Sequence, residues 1–196
     1  MTMTEPTTSD RFPTLTRYSE QLPVGLASFP ACAASSVMLR GLVARDALGG
    51  LAGLPREIGS AVERIEQTEW LPEVVHVAAM LALRDVRFGD DETFLAWTGK
   101  LNREVMMDRA ANPPEALALV PRIWSRLHRG TTVEVLDLSG HSGTLLTRHP
   151  RELFAPLIRE WRTRAVLAFL ARAGAAQPRA RESADAEGTV LRIDWT

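Results

Sequence analysis

Histidine is the side chain whose charge changes near neutral pH, and this chain has four: His76, His128, His141 and His149. His128 draws attention first, because it stands beside Arg129 in "IWSRLHRGTTVEVLDL", residues 123–138. An imidazole next to a guanidinium can move a proton and hold an anion. The same two residues also sit where the chain changes character. Ile123, Trp124 and Leu127 continue a helical face, Gly130 suits a left-handed helix terminus, and "TTVEVLDL" is rich in β-branched residues. Positive groups in a last turn favour the negative end of the helix dipole. The spacing therefore predicts that His128 and Arg129 close a helix, a structural cause for their position before any chemistry.

The other reactive residues give weaker signals. His76 lies inside the apolar run "LPEVVHVAAMLALRDV"; it can ligate a metal, but it reads first as a core histidine with one hydrogen bond satisfied. His141 falls in the "SGHSG" turn, and His149 precedes Pro150, where it can help to cap a helix. Their spacing across "HSGTLLTRH" matches no compact metal motif. Cys32 is the only cysteine, so an internal disulfide and a cysteine zinc site are excluded, and its apolar neighbours make it a buried thiol. "GLASFP" lacks the glycines of a nucleophile elbow, and "GLAGLPREIG" lacks the lysine of a phosphate loop. Asp90, Asp91 and Glu92 in "FGDDETF" suit a helix start better than a cation loop. No catalytic residue, metal or cofactor is expected.

Five tryptophans against one tyrosine remain. Trp70, Trp97, Trp124, Trp161 and Trp195 each sit near an apolar face, where they either fill the core or line an apolar cavity. If a cavity exists, it is expected between the helix 72–87, the helix 93–106 and the inner face of a C-terminal sheet. Its expected lining is Phe94, Trp97, Trp124 and His128.

The elements that must position these residues divide the chain. Residues 1–20 are rich in Thr, Ser and Glu and read as a flexible tail. Residues 21–196 read as a single α+β domain, with a helical part over 33–129 and a sheet-plus-helix part over 130–196. "LPVGLASFPAC" reads as an extended lead-in. Helices are predicted in "SSVMLRGLVARDALGG", "LPREIGSAVERIEQ", "LPEVVHVAAMLALRDV", "DDETFLAWTGKLNREVMM" and "NPPEALALVPRIWSRLHRG". Asn112 is the expected cap of the last, and Pro121 is expected to kink or interrupt it. A hairpin follows, then a long helix from near Pro150, then two strands ending in "TVLRIDW". The C-terminal half thus reads β-β-α-β-β, a small antiparallel sheet covered by one long helix. The arginines of that helix, Arg151, Arg159, Arg162, Arg164 and Arg172, read as a solvated face with local ion pairs.

Bulk composition narrows the partners. The chain has 196 residues, 45% apolar and 24% charged, and a formal charge of −1. Such a balance gives no global field for nucleic acid or an anionic membrane. Without a basic, apolar N-terminal leader or a long apolar run, a cytoplasmic protein off the membrane is expected.

The stretch from "WSRLHRGTTVEVLDLSGHSGTLLTRHPRELFAPLIREWRTRAVLAFLARAGA" to "GTVLRIDW", with "GLASFPAC" upstream, resembles an uncharacterised myxobacterial paralogous family. The C-terminal half of that family looks like the ligand domains of the 4-vinyl reductase and haem–nitric-oxide-binding type. The resemblance covers roughly residues 112–195. It implies a sensor fold enclosing a small apolar molecule or a haem. No position here matches the haem-ligating histidine, so haem is not expected and no functional residue is carried over. The expected function is a non-enzymatic regulatory or sensor-like domain with a small hydrophobic ligand. The alternative is a protein–protein interaction module, a homodimer or adaptor, without a ligand.

Overall fold

The computed structural model describes residues 11–45, 54–105 and 109–196. Among these, seven α-helices and two antiparallel sheets form an α+β fold. The helices are α1 (Pro13–Gln21), α2 (Ser36–Arg45), α3 (Arg56–Glu63), α4 (Glu73–Arg87), α5 (Asp91–Val105), α6 (Pro113–Leu127) and α7 (Pro156–Arg172). The first sheet joins β1 (Ala33–Ser35), β2 (Trp70–Pro72) and β3 (His128–Arg129) in the order β2-β1-β3. The second joins β4 (Thr132–Leu138), β5 (Ser142–Arg148), β6 (Arg179–Asp185) and β7 (Gly188–Asp194) in the order β4-β5-β7-β6. With α7 between β5 and β6, this second sheet is the expected β-β-α-β-β unit.

Residues 11–20 do not form the expected tail. They enter α1, where Pro13 takes a first-turn position and Phe12, Leu15 and Tyr18 are buried. No local side chain caps this helix. Its free N–H groups at Thr14 and Leu15 instead donate to Asp85 Oδ2 of α4, at 2.8 and 3.1 Å. A carboxylate there satisfies two orphan donors and complements the helix dipole. Residues 1–10, the rest of that expectation, lie outside the described residues, as do the glycines expected to end α2.

α4 runs through the middle of the helical half, and every residue from Glu73 to Leu83 is buried. α6 begins as its sequence dictates: the Asn112 side chain accepts from the Glu115 N–H at 2.9 Å. It continues through Pro121, so of the kink or interruption expected there the interruption does not occur; the remaining hydrogen bonds and the burial of Leu117, Val120 and Ile123 hold it together. α7 starts at Pro156, the residue whose fixed φ suits a first turn. Its apolar residues do not make one stripe. Leu157, Ile158 and Trp161 join the helical core, whereas Phe169 and Leu170 join the core under the second sheet. Trp124 packs against both.

His128 and Arg129 do not occupy the last helical turn. α6 ends at Leu127, and His128 is already extended at φ −136° and ψ 145°. The cause is β1, whose Ala34 faces His128 and whose Ala33 faces Arg129. Gly130 then turns the chain at φ +72°. A Cβ at this position would overlap the Ala31 carbonyl, so the close approach requires glycine as well as the positive φ.

Candidate functional site

Strand β1 is the piece that assembles the site. On one side Ala33 faces Pro72, the residue before Glu73; on the other Ala34 faces His128. The Glu73 N–H also donates to the Cys32 carbonyl at 2.9 Å. Two residues 55 positions apart are thereby fixed side by side: Glu73 Oε2 lies 2.8 Å from His128 Nδ1. α7 brings the third member, with Arg162 Nη2 donating to Glu73 Oε1 at 2.9 Å. The Glu73 side chain has no exposure and that of Arg162 has 14%.

Aromatic rings close around this node. Trp124 stacks on His128 with centroids 4.0 Å apart and 23° between planes. The Arg162 guanidinium lies 4.7 Å from the Trp124 ring and 3.2 Å from that of Phe154. Trp124 is itself held by its Nε1–H, which donates to Thr131 Oγ1 at 3.0 Å. Tyr18 approaches the node and donates its hydroxyl to the Leu153 carbonyl at 2.8 Å.

The protonation states follow from burial and contact. Burial pushes the Glu73 carboxyl up, but His128 by charge and hydrogen bond, Arg162 and His76 outweigh it and hold it at about 2. Burial pulls His128 below its ordinary value although Glu73 opposes the shift. At neutral pH the anion is thus Glu73, its counter-charge is Arg162, and His128 is a neutral imidazole. A carboxylate only accepts, so Nδ1 carries the His128 proton and Nε2 the lone pair. Burial also lowers the Arg162 guanidinium to about 10, against the pull of Glu73, which leaves it charged. Tyr18 and Cys32 are both raised, first by burial and then by Glu73, so neither is an activated nucleophile.

His76 is the neighbour that gains nothing. Its Nδ1 lies 3.8 Å from Glu73 Oε1, beyond hydrogen-bond reach. Neither ring nitrogen has a partner among the described residues, which corrects the expectation of one satisfied hydrogen bond. Burial drives it to about 4.

A cavity of about 150 Å³ begins at this node and extends between α6, α7 and the inner face of the second sheet. Val120, Leu127, Val133, Leu145, Val166 and Leu191 supply apolar wall. His128, Arg162 and Trp161 border it, and Thr147, His149 and Thr189 lie along the sheet side. The last two are engaged, because His149 Nε2 meets Thr189 Oγ1 at 2.9 Å. Of the residues expected to line a cavity, Trp124 and His128 do so together. Phe94 and Trp97 pack instead against Phe88, at 5.6 and 5.2 Å between centroids. The space lies on the α6–α7 side of the sheet, not beside the 72–87 and 93–106 helices as a whole; Thr98 is what α5 contributes.

Glu73 and Arg162 carry the node, and neither stood out in the sequence as a site. Glu73 had one available signal, a charge in a run otherwise apolar on every side, which in a folded protein must find a partner. Arg162 had none, since Arg159 and Arg164 on the same helix do make the expected outer ion pairs, with Glu182 at 2.8 Å and with Glu92 and Glu160 at 2.7 Å.

The chain matches no protein-family model, no curated protein and no solved structure. No group of three or more His, Cys, Asp and Glu among the described residues is placed to hold a metal ion. No helix among them is long and apolar enough to cross a membrane.

Proposed function

We propose that this chain is a non-enzymatic regulatory or sensor-like domain that binds a small hydrophobic ligand in the cavity between α6, α7 and the second sheet. The observation that carries the reading is the cavity itself: apolar wall on most sides, a few polar groups gathered at one end. That composition is the ordinary make-up of a small-molecule site, in which apolar area gives affinity and sparse polar groups give orientation. Cavities of about 150 Å³ accept a single benzene ring. The node suits sensing better than turnover. Its histidine has an orienting carboxylate, but the neighbouring thiol and phenol are both held protonated, so neither serves it as a nucleophile.

Native mass spectrometry of gently purified protein tests this reading. A small adduct is expected on the wild-type chain and its loss is expected in Ala165→Phe, which places a ring in the cavity. A wild-type chain that carries no adduct and gains no melting temperature from toluene would overturn the proposal.

A second reading has its own observation. β4 is an edge strand, and its Leu136 and Leu138 are 53% and 38% exposed where a bulge interrupts pairing with β5. An exposed apolar edge can pair with another chain, as in a homodimer or adaptor. Light scattering on the wild type and on Leu136→Lys separates the two: a dimer that dissociates on substitution supports an interface, and a monomer throughout removes it.

A further inference from the structure

The polar end of the cavity defines what its occupant must offer, on the ligand-binding reading above. Glu73 fixes the proton of His128 on Nδ1 at 2.8 Å. Nε2 is then an acceptor, it takes no hydrogen bond among the described residues, and His128 borders the cavity. Trp161 and Arg162 border it too. The Trp161 indole N–H and the Arg162 Nε and Nη1 groups are buried without partners among the described residues. Unpaired buried donors are costly and ordinarily find an acceptor. The wall therefore calls for a group that both donates and accepts.

Charge decides between the candidates for that group. The Glu73 anion is matched by the Arg162 cation at 2.9 Å. On the rim, the Glu182 anion is matched by Arg159 at 2.8 Å. The histidines on the wall, His128 and His149, are both pulled below their ordinary values, chiefly by burial. An added carboxylate or ammonium would enter an apolar space whose charges already cancel, and an uncompensated buried charge is strongly unfavourable. A hydroxyl brings one donor, two lone pairs and no charge.

We infer that the cavity selects an uncharged, hydroxyl-bearing ring compound of about the size of phenol, with its O–H donated to His128 Nε2. The ring fills the space walled by Leu127, Val133, Leu145 and Leu191, and the hydroxyl oxygen faces the donors of Trp161 and Arg162. The three-group node then acts as a neutral reader of a hydroxyl.

The test is a calorimetric titration of the full chain at pH 7.5 with phenol, toluene and benzoate, alongside ¹⁵N spectra of histidine-labelled protein. Phenol is expected to bind about tenfold more tightly than toluene, the difference one good buried hydrogen bond makes, and benzoate more weakly than either. The Nε2 resonance of His128 is expected to be of the unprotonated type and to move with phenol but not with toluene. Equal binding of phenol and toluene overturns the hydroxyl inference and leaves the hydrophobic-ligand reading standing. Tighter binding of benzoate overturns the charge argument. Failure of all three to bind sinks both the inference and the reading beneath it.

Discussion

Arg162 meets Glu73 at 2.9 Å where the two halves of the molecule join, and Arg148 meets Glu134 at 2.8 Å on the outer side of the second sheet. Residue types and distances are nearly the same, but the surroundings differ. Glu73 has no exposure, whereas Glu134 is 51% and Arg148 38% exposed. Water solvates the second pair in the folded and unfolded chain alike, so the contact changes little on folding. The first pair is largely withdrawn from water, Glu73 wholly and Arg162 to 14% exposure, so each charge depends on the other and on His128. Location, not distance, decides which of two similar ion pairs the structure depends on. It also decides which can read a ligand, because a hydrogen bond made away from water discriminates more sharply than one made in it.

The most severe way to break this contrast is Glu73→Gln. The amide keeps an acceptor near Arg162 but leaves the guanidinium charge unpaired, and a loss of about 3–5 kcal/mol is expected. Urea denaturation at pH 7 measures it, and a loss below about 1 kcal/mol would mean that the node is solvated after all. Trp195→Ala is the apolar counterpart in the sheet half. Trp195 is 5% exposed, packs under the second sheet and donates its Nε1–H to the Gly140 carbonyl at 2.9 Å. A loss of about 3 kcal/mol is expected from the emptied space, and a stability within about 1 kcal/mol of wild type would contradict its packing.

His76→Leu sharpens the comparison through pH. The fold holds His76 neutral down to about 4 against an ordinary 6.5. Between those values the unfolded chain binds a proton that the folded chain refuses, so stability falls as pH drops through that window, by about 3 kcal/mol at its lower end. Glu73 acts over a lower window. Its carboxyl is held at about 2 against an ordinary 4.5, so its contribution is complete above 4.5 and is lost as pH falls towards 2. His76→Leu is expected to make the fall between pH 6.5 and 4 shallower, with the part due to His128 and His149, also pulled below their ordinary values by burial, remaining, and to leave the lower loss in place. It should also raise stability at pH 7 by about 1 kcal/mol, because two unpartnered buried nitrogens disappear. An unchanged slope between pH 6.5 and 4 would show that another group governs that range. Arg148→Ala, on the exposed pair, should cost less than about 1 kcal/mol, and even that should vanish in 1 M salt.

Much of the sheet half was legible because its signals are local. Alternating apolar residues mark β7, the "SGHSG" turn marks the β4–β5 hairpin, Asn112 caps α6, and Gly130 marks a left-handed turn. α1 was not legible, because the carboxylate that holds its N-terminus belongs to Asp85, 70 residues away. His128 was misplaced for a similar reason. Its own surroundings favour a helix end, and only pairing with Ala34 of β1 draws it into extended backbone beside Glu73. Trp124 and His128 both border the cavity; Trp124 does so from α6, and His128 from β3, the strand that follows it. Phe94 and Trp97 pack on Phe88 instead, because an amphipathic helix shows which residues point inward but not which part of the interior they meet.

The five indole N–H signals in a ¹H–¹⁵N spectrum, followed as toluene is added, test most directly whether the space between α6, α7 and the sheet is a binding site. Trp124 and Trp161 border that space and are expected to shift together and saturate, while Trp70, Trp97 and Trp195 stay in place. Five unmoved signals, or a shift confined to Trp70, Trp97 or Trp195, would contradict the site assigned here.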